Sequence, residues 1–314
     1  MKDGSDVTID ELIASTPVLT DGAWGTELQA SGLAPADLPD LWNLAHPDRV
    51  ETVARAYVDA GSRIILTNTF RANRVALAAH GAANSVEAIN RAGVAISRRA
   101  AGTRAQVFAS IGPSGRMLFA GDIDAAQLRD AFTEQAQALA AAGADALVVE
   151  TMSDLDEARI AVAAAVTTGL PVVACMVFDS GRHRDRTMTG VTPSDAAVEL
   201  VRAGACVIGA NCGLGIEAYV PVCAALAVAT DRPVWIKPNA GLPTLADGRA
   251  VYAMTAEQFA SHVPALIAAG ARFIGGCCGT TPAFVAALQR HVAIHQRAQS
   301  PVRGPSPPSL QRPR

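Results

Sequence analysis

Four segments of this chain repeat one design. In "DAGSRIILTNTF", "AAGADALVVETM", "RAGACVIGANCG" and "AAGARFIGGCCG" a helix end closes on Ala-Gly, a short turn follows, and a buried apolar run begins. Glycine at that place supplies the left-handed conformation that ends a helix. Four further apolar runs, "PVLTDGA", "QVFASIGP", "PVVACMVFD" and "PVWIKPNAG", alternate with the first set and bring the strands to eight. The stretches between them read as amphipathic helices. In "DRVETVARAYVDAG", Val50, Val53, Ala54, Tyr57 and Val58 follow the three-four spacing of one buried face. Thr192-Pro193 and Thr281-Pro282 have the form of an N-cap followed by a first-turn proline. Pro264, inside "SHVPALIAAG", predicts a kink or a restart.

Eight strand-helix units with continuously apolar strands predict an α/β fold, a single-domain (β/α)8 TIM barrel over residues 16–298. An open doubly wound sheet is the alternative. "GANCGLG" has the glycines of a dinucleotide loop without the GxGxxG order after a first strand. Residues 1–15 read as an N-terminal extension and 299–314 as a disordered Pro/Ser-rich tail, whose composition cannot support a core. The chain has 314 residues, half of them hydrophobic, which is ample for a large core. A net charge of -3 and 4% aromatic residues argue against a phosphate-tracking face or a base-stacking platform, so nucleic acid is not an expected partner. The opening "MKDGSDVTIDELIAST" is polar and acidic where a signal peptide is basic then apolar, and no apolar run is long enough to span a bilayer. These features predict a cytoplasmic protein without membrane contact, whose six cysteines stay reduced.

In a barrel of this kind the chemistry sits at the C-terminal strand ends. The polar residues gather there: Asp21-Gly22 after strand one, Thr67-Asn68-Thr69 after strand two, Glu150-Thr151 after strand four, Asn211-Cys212 after strand six, Lys237-Pro238-Asn239 after strand seven and Cys277-Cys278 after strand eight. Cys212, Cys277 and Cys278 can therefore meet at one mouth, and three thiolates with one open position make a catalytic zinc site. Gly275, Gly276 and Gly279 are expected to turn the backbone so that both vicinal thiols face one ion. The helix starting at Thr281-Pro282 favours the thiolate form. Cys175, Cys206 and Cys223 fall inside strands or a helix and read as core residues. Asn211 and Asn239 read as turn residues. The six histidines, His46, His80, His183, His262, His291 and His295, all fall on helices or loops.

"DGAWGTELQ", "ILTNTF", "VVETMSDLDEA", "GANCGLG", "PNAGLP" and "GGCCGTTP", in this order, resemble the homocysteine S-methyltransferase family over nearly the whole chain. The local wording is most similar to the homocysteine-binding barrel of cobalamin-dependent methionine synthases. The resemblance implies a zinc-containing barrel in which homocysteine sulfur takes the open metal position and is methylated to methionine. It further implies that Cys212, Cys277 and Cys278 are the ligands, that Asp21 and Glu150 hold the substrate ammonium, and that the backbone at Gly22 and Ala23 lies near its carboxylate. No general base is then needed at the sulfur.

The donor is less constrained. No Asp-x-His-x-x-Gly cobalamin signature occurs, so methylcobalamin would be carried by a separate corrinoid protein. Betaine or S-methylmethionine would instead need aromatic walls, for which Trp24 and Phe70 are the nearest residues. Lys237 departs from the family pattern as the one lysine besides Lys2. An amine at a strand end opens a second reading, a Schiff-base aldolase. A zinc-stabilised binding protein without catalysis is a third. The oligomeric state is left open by the sequence.

Overall fold

The computed structural model describes residues 8–14, 17–246 and 249–299. Its strands are β1 (Val18–Leu19), β2 (Ile64–Leu66), β3 (Gln106–Ile111), β4 (Ala146–Met152), β5 (Val172–Met176), β6 (Val207–Gly215) and β7 (Val234–Asn239). A hairpin of β8 (Thr244–Ala246) and β9 (Arg249–Val251) follows, and then β10 (Ala271–Ile274). Apart from the hairpin, the strands form one parallel sheet in the order β1-β10-β7-β6-β5-β4-β3-β2. The sheet closes on itself, because the Arg63 amide donates to the Leu19 carbonyl at 2.8 Å and the Leu66 amide to Asp21 Oδ2 at 2.8 Å. This is the (β/α)8 barrel, and closure rules out the open doubly wound sheet. The hairpin was not anticipated by the strand count.

Successive side chains on a strand point to opposite faces, and the inward set explains where the polar residues go. Phe108, Trp235 and Phe273 fill the middle of the barrel, with ring centroids 6.1 Å apart for Phe108 and Trp235 and 5.2 Å apart for Trp235 and Phe273. Two residues further along their strands come Ser110 and Lys237, joined by Glu150 of β4 and Asn211 of β6, all buried. The alternation that builds an apolar plug thus delivers a polar layer at the C-terminal end. At the opposite end Leu12, 3% exposed, packs against the same apolar plug. It belongs to a short helix, Ile9–Ile13, fixed by a capping box between Thr8 and Glu11. The described part of the N-terminal extension is therefore attached to the barrel. Residues 1–7 and 300–314 lie outside the described residues; of the disordered tail expected over 299–314 only Gln299 is described, and it ends the helix Pro282–Gln299.

The helix Pro47–Asp59 buries Val50, Val53, Ala54, Tyr57 and Val58, the face its spacing predicts. Thr192 caps the helix Pro193–Arg202 through the Asp195 amide at 3.0 Å. Around Pro264 the chain restarts, with helices Ala256–Ala260 and Val263–Ala268. Among the described residues no helix is long and apolar enough to cross a membrane.

Candidate metal centre and substrate cavity

β6 carries Cys212 in its C-terminal half, and the loop leaving β10 carries Cys277 and Cys278. Their three Sγ atoms lie within 4.8 Å of one another. Two local devices bring them together. Cys212 has φ 63°, a left-handed conformation uncommon for a side-chain-bearing residue, and the kink aims its thiol inward. The vicinal pair is held by backbone bonds to the strand beside it: the Cys277 amide donates to the Pro238 carbonyl at 2.8 Å, and the Ala240 amide to the Cys278 carbonyl at 2.9 Å. Gly279 turns the chain with φ 80°, as expected, and Tyr252 packs directly on it. Gly275 and Gly276 do a different job from the turning expected of them. Neither adopts a positive φ; a Cβ on Gly276 would lie 2.4 Å from Thr280 Oγ1, so these glycines permit close approach.

Three thiols this close share protons unequally. Hydrogen bonds from Cys277 and then Cys278, with help from the Gly213 backbone and Asn239, pull the pKa of Cys212 well down. Cys277 is pushed up by its bond to Cys212, then by Cys278 and by burial. The thiolate form is thus favoured at Cys212 and disfavoured at Cys277. Zinc-sulfur bonds of about 2.3 Å in a tetrahedron require sulfurs roughly 3.8 Å apart, a small side-chain adjustment from this arrangement. Beside Cys212, Asn239 is 6% exposed and its Oδ1 has no hydrogen-bond partner. An electron-rich sulfur trio next to an unsatisfied buried carbonyl suits a divalent metal, so the residues fit zinc. Cys175 and Cys223 are buried in the core, and Cys206 bonds the Val172 carbonyl at 3.3 Å.

The thiols form one wall of a cavity of about 290 Å³ that also takes in Gly22, Ala23, Trp24, Phe70, Glu150 and Lys237. Glu150 is 7% exposed. Its carboxylate accepts from Ser110 Oγ and, at 3.1 Å, from Asn211 Nδ2. Burial raises its pKa, against the opposing pull of Lys237 and Ser110. Thr151, the next residue, has φ 60°, a strained value for a β-branched side chain. Asn211 holds it there, accepting from the Thr151 amide and donating to Thr151 Oγ1, both at 2.7 Å. Asn211 and Asn239 are thus site-building residues, where turn residues were expected.

Asp21 differs more from expectation. It is fully buried, its Oδ1 pairs with Lys237 Nζ, and its Oδ2 accepts from Trp24 Nε1 and the Leu66 amide, each at 2.8 Å. Burial alone would depress the Lys237 pKa, but Asp21 and Glu150 outweigh it and the pKa is raised. A protonated, ion-paired amine is a poor nucleophile, which removes the basis of the Schiff-base reading. The Ala23 amide donates to the Thr280 carbonyl at 3.3 Å.

Sequence reasoning missed Ser110 and Asp40. Asp40 lines the cavity from the long β1-β2 connection; burial pushes its pKa up to about 6, opposed first by a hydrogen bond from the Arg71 amide. Nothing in "DLPDLWN" signals that position. Among the described residues no histidine lines the cavity. His262 and His291 face Glu217 and Glu257 on the outer helices.

The sequence profile described as homocysteine S-methyltransferase matches residues 18–292. Methionine synthase of Mycobacterium tuberculosis (strain ATCC 25618 / H37Rv) is 32% identical over 322 residues, covering 95% of this chain and 26% of that protein. Methionine synthase of Mycobacterium leprae (strain TN) is 30% identical over 304 residues, covering 92% and 25%. The chain spans about a quarter of the length of these curated relatives. Among solved structures, the metallated form of the homocysteine methyltransferase MmuM from Escherichia coli has a TM-score of 0.72 at 27% identity, covering 89% of this chain and 98% of that one. The carboxyl transferase domain of Rhizobium etli pyruvate carboxylase, at 16% identity and a TM-score of 0.54 over 98% of this chain and 54% of that one, shares the fold alone.

Proposed function

This chain belongs to the homocysteine S-methyltransferase family, and we propose that it forms methionine by zinc-dependent methylation of homocysteine. The observation that carries the proposal is the convergence of three thiols with Glu150 in one cavity. Cys212, Cys277 and Cys278 would hold zinc, which supplies a Lewis acid that keeps a bound thiol ionised near neutral pH. The metallated form in which the MmuM neighbour is described supports metal at this trio. Glu150 offers a carboxylate to the substrate ammonium, a charge-assisted hydrogen bond. The backbone at Gly22 and Ala23, on the cavity wall, is the segment assigned to the substrate carboxylate, and Trp24 and Phe70 line the same cavity. A sulfur that enters as thiolate forms its bond to the methyl carbon as the donor's bond to that carbon breaks. No proton has to leave the sulfur in that step, consistent with a cavity free of histidine among the described residues.

The donor in this reading is methylcobalamin on a corrinoid partner. Two aromatic side chains, Trp24 and Phe70, make a poor cage for a small cationic donor. By contrast, Phe119, Met188, Leu242 and Leu245 are exposed on the loops after β3, β5 and β7, which leave the barrel at the end where the cavity opens. Exposed apolar side chains at that end suit a docked protein better than a diffusing small molecule. The proposed place of action is the cytoplasm, where such thiols stay reduced.

The test is zinc analysis of purified protein combined with an assay for methionine. One zinc per chain and methionine from homocysteine are expected; metal without methionine would leave a binding protein. In a donor panel, free methylcobalamin should turn over and betaine should not. Robust methionine formation from betaine or S-methylmethionine, abolished in Trp24→Ala, would reverse the donor assignment. Glu150→Gln should keep zinc and raise the homocysteine KM, since losing a charge-assisted bond costs roughly 1.5 to 3 kcal/mol. Unchanged kinetics would return Glu150 to a structural role.

A further inference from the structure

The geometry points to Lys237 as a positioning residue that withdraws Asp21 from substrate recognition and leaves Glu150 as the single acceptor for the substrate ammonium. The inference rests on the homocysteine reading above and refines it.

Lys237 reaches the polar layer from inside the barrel. Its stem runs past Gly275, where a Cβ would lie 3.2 Å from Lys237 Cγ. The ammonium then pairs with Asp21 Oδ1, the lysine being 2% exposed and the aspartate fully buried. An ionised carboxylate has about four acceptor sites. Three on Asp21 are taken, by Lys237, by the Trp24 indole and by the Leu66 amide. With no exposed surface, Asp21 offers nothing that an entering ammonium can reach.

Glu150 is placed otherwise. It lines the cavity, and its hydrogen-bond donors, Ser110 and Asn211, are neutral. Apart from the thiols, the layer holds two carboxylates and one lysine, leaving one net negative charge to meet one ammonium; Asp40 and Arg71, which also line the cavity, carry opposite charges beside each other and offset. Lys237 therefore sets the charge of the substrate end of the site. Through Asp21 it also fixes Trp24, a cavity wall, and the β1-β2 closure. Removing it alone leaves Asp21 as an uncompensated buried charge, which is strongly destabilising. Replacing both partners together removes that penalty, so Lys237→Met with Asp21→Asn is the informative double variant.

The experiment compares homocysteine with its desamino analogue, γ-mercaptobutyrate, using methylcobalamin as donor. Glu150→Gln should raise KM for homocysteine by about tenfold or more, the equivalent of one lost charge-assisted bond, and leave KM for the analogue within about twofold. Asp21→Asn and the double variant should affect both thiols by the same factor, chiefly in kcat, because their action runs through the placement of Trp24. A readout independent of turnover is the Trp24 indole N–H resonance in a nitrogen-proton spectrum. It should shift in Asp21→Asn and in the double variant and hold its place in Glu150→Gln. An Asp21→Asn loss confined to homocysteine would overturn the inference, as would an unmoved Trp24 resonance in that variant. If wild-type protein turns over neither thiol, the homocysteine reading fails, while the Trp24 resonance still decides whether Asp21 is committed to the indole.

Discussion

Cys277→Ala should lose zinc and methionine formation together. Two thiolates cannot complete a tetrahedral site that also has to keep a position open for substrate, so affinity should fall by more than the roughly 10- to 100-fold seen when only an outer-shell partner is removed. Cys277 is the informative choice because its backbone is pinned by the Pro238 carbonyl and by Thr280, which bonds the Cys277 carbonyl at 2.7 Å. The substitution therefore deletes a donor without freeing the loop. Cys223→Ala is the matched control, since that thiol is buried on the helix Ile216–Ala229, apart from the trio. Metal analysis after exhaustive dialysis reads the result. Undiminished zinc in Cys277→Ala, or equal loss in Cys223→Ala, would remove the metal assignment.

The thiol trio is legible in the sequence because its logic is topological. Strand ends in a parallel barrel share one face, so Asn211-Cys212 and Cys277-Cys278 had to be neighbours once the eight-fold repeat was recognised. The state of each polar residue is not legible in the same way. Whether Asp21 faces substrate or the barrel interior depends on which of its neighbours can reach it, and Lys237 lies more than two hundred residues away in the chain. Ser110 carries no motif, and it matters only because β3 places it beside Glu150. Asn211 looks like a turn residue because turns favour asparagine, yet its side chain is spent on holding Thr151 in a strained conformation. Glycines mislead for a related reason. In "GGCCG" the letters are identical, but Gly279 is needed for its φ while Gly275 and Gly276 are needed for lack of a side chain.

That distinction gives Gly275→Ala a large expected effect on stability. A Cβ at Gly275 would lie 1.9 Å from Thr20 Oγ1 and 2.7 Å from the Asp21 carbonyl oxygen. The threonine hydroxyl has no hydrogen-bond partner and can rotate away. The carbonyl cannot, because it accepts the Gly276 amide at 3.0 Å, while the Gly275 amide is itself held by the Ile236 carbonyl at 3.0 Å. The new methyl is therefore caught between β1 and β7, at the point where a two-residue strand closes the barrel. Overpacking of a well-filled core costs about 1 to 3 kcal/mol, and a clash against pinned backbone belongs at the top of that range. Gly25→Ala gives the opposite sign: nothing lies within 4 Å of its added Cβ, and within the helix Trp24–Ala30 alanine is favoured by roughly 0.5 to 1 kcal/mol. Urea unfolding should place the Gly275→Ala midpoint below wild type and the Gly25→Ala midpoint above it. Zinc content should fall in Gly275→Ala as well, because Cys277 follows two residues later and moves with the displaced strand end. A wild-type midpoint for Gly275→Ala would mean that the β1 closure yields, and that Asp21 and Lys237 are held by their own pairing and not by the strand around them.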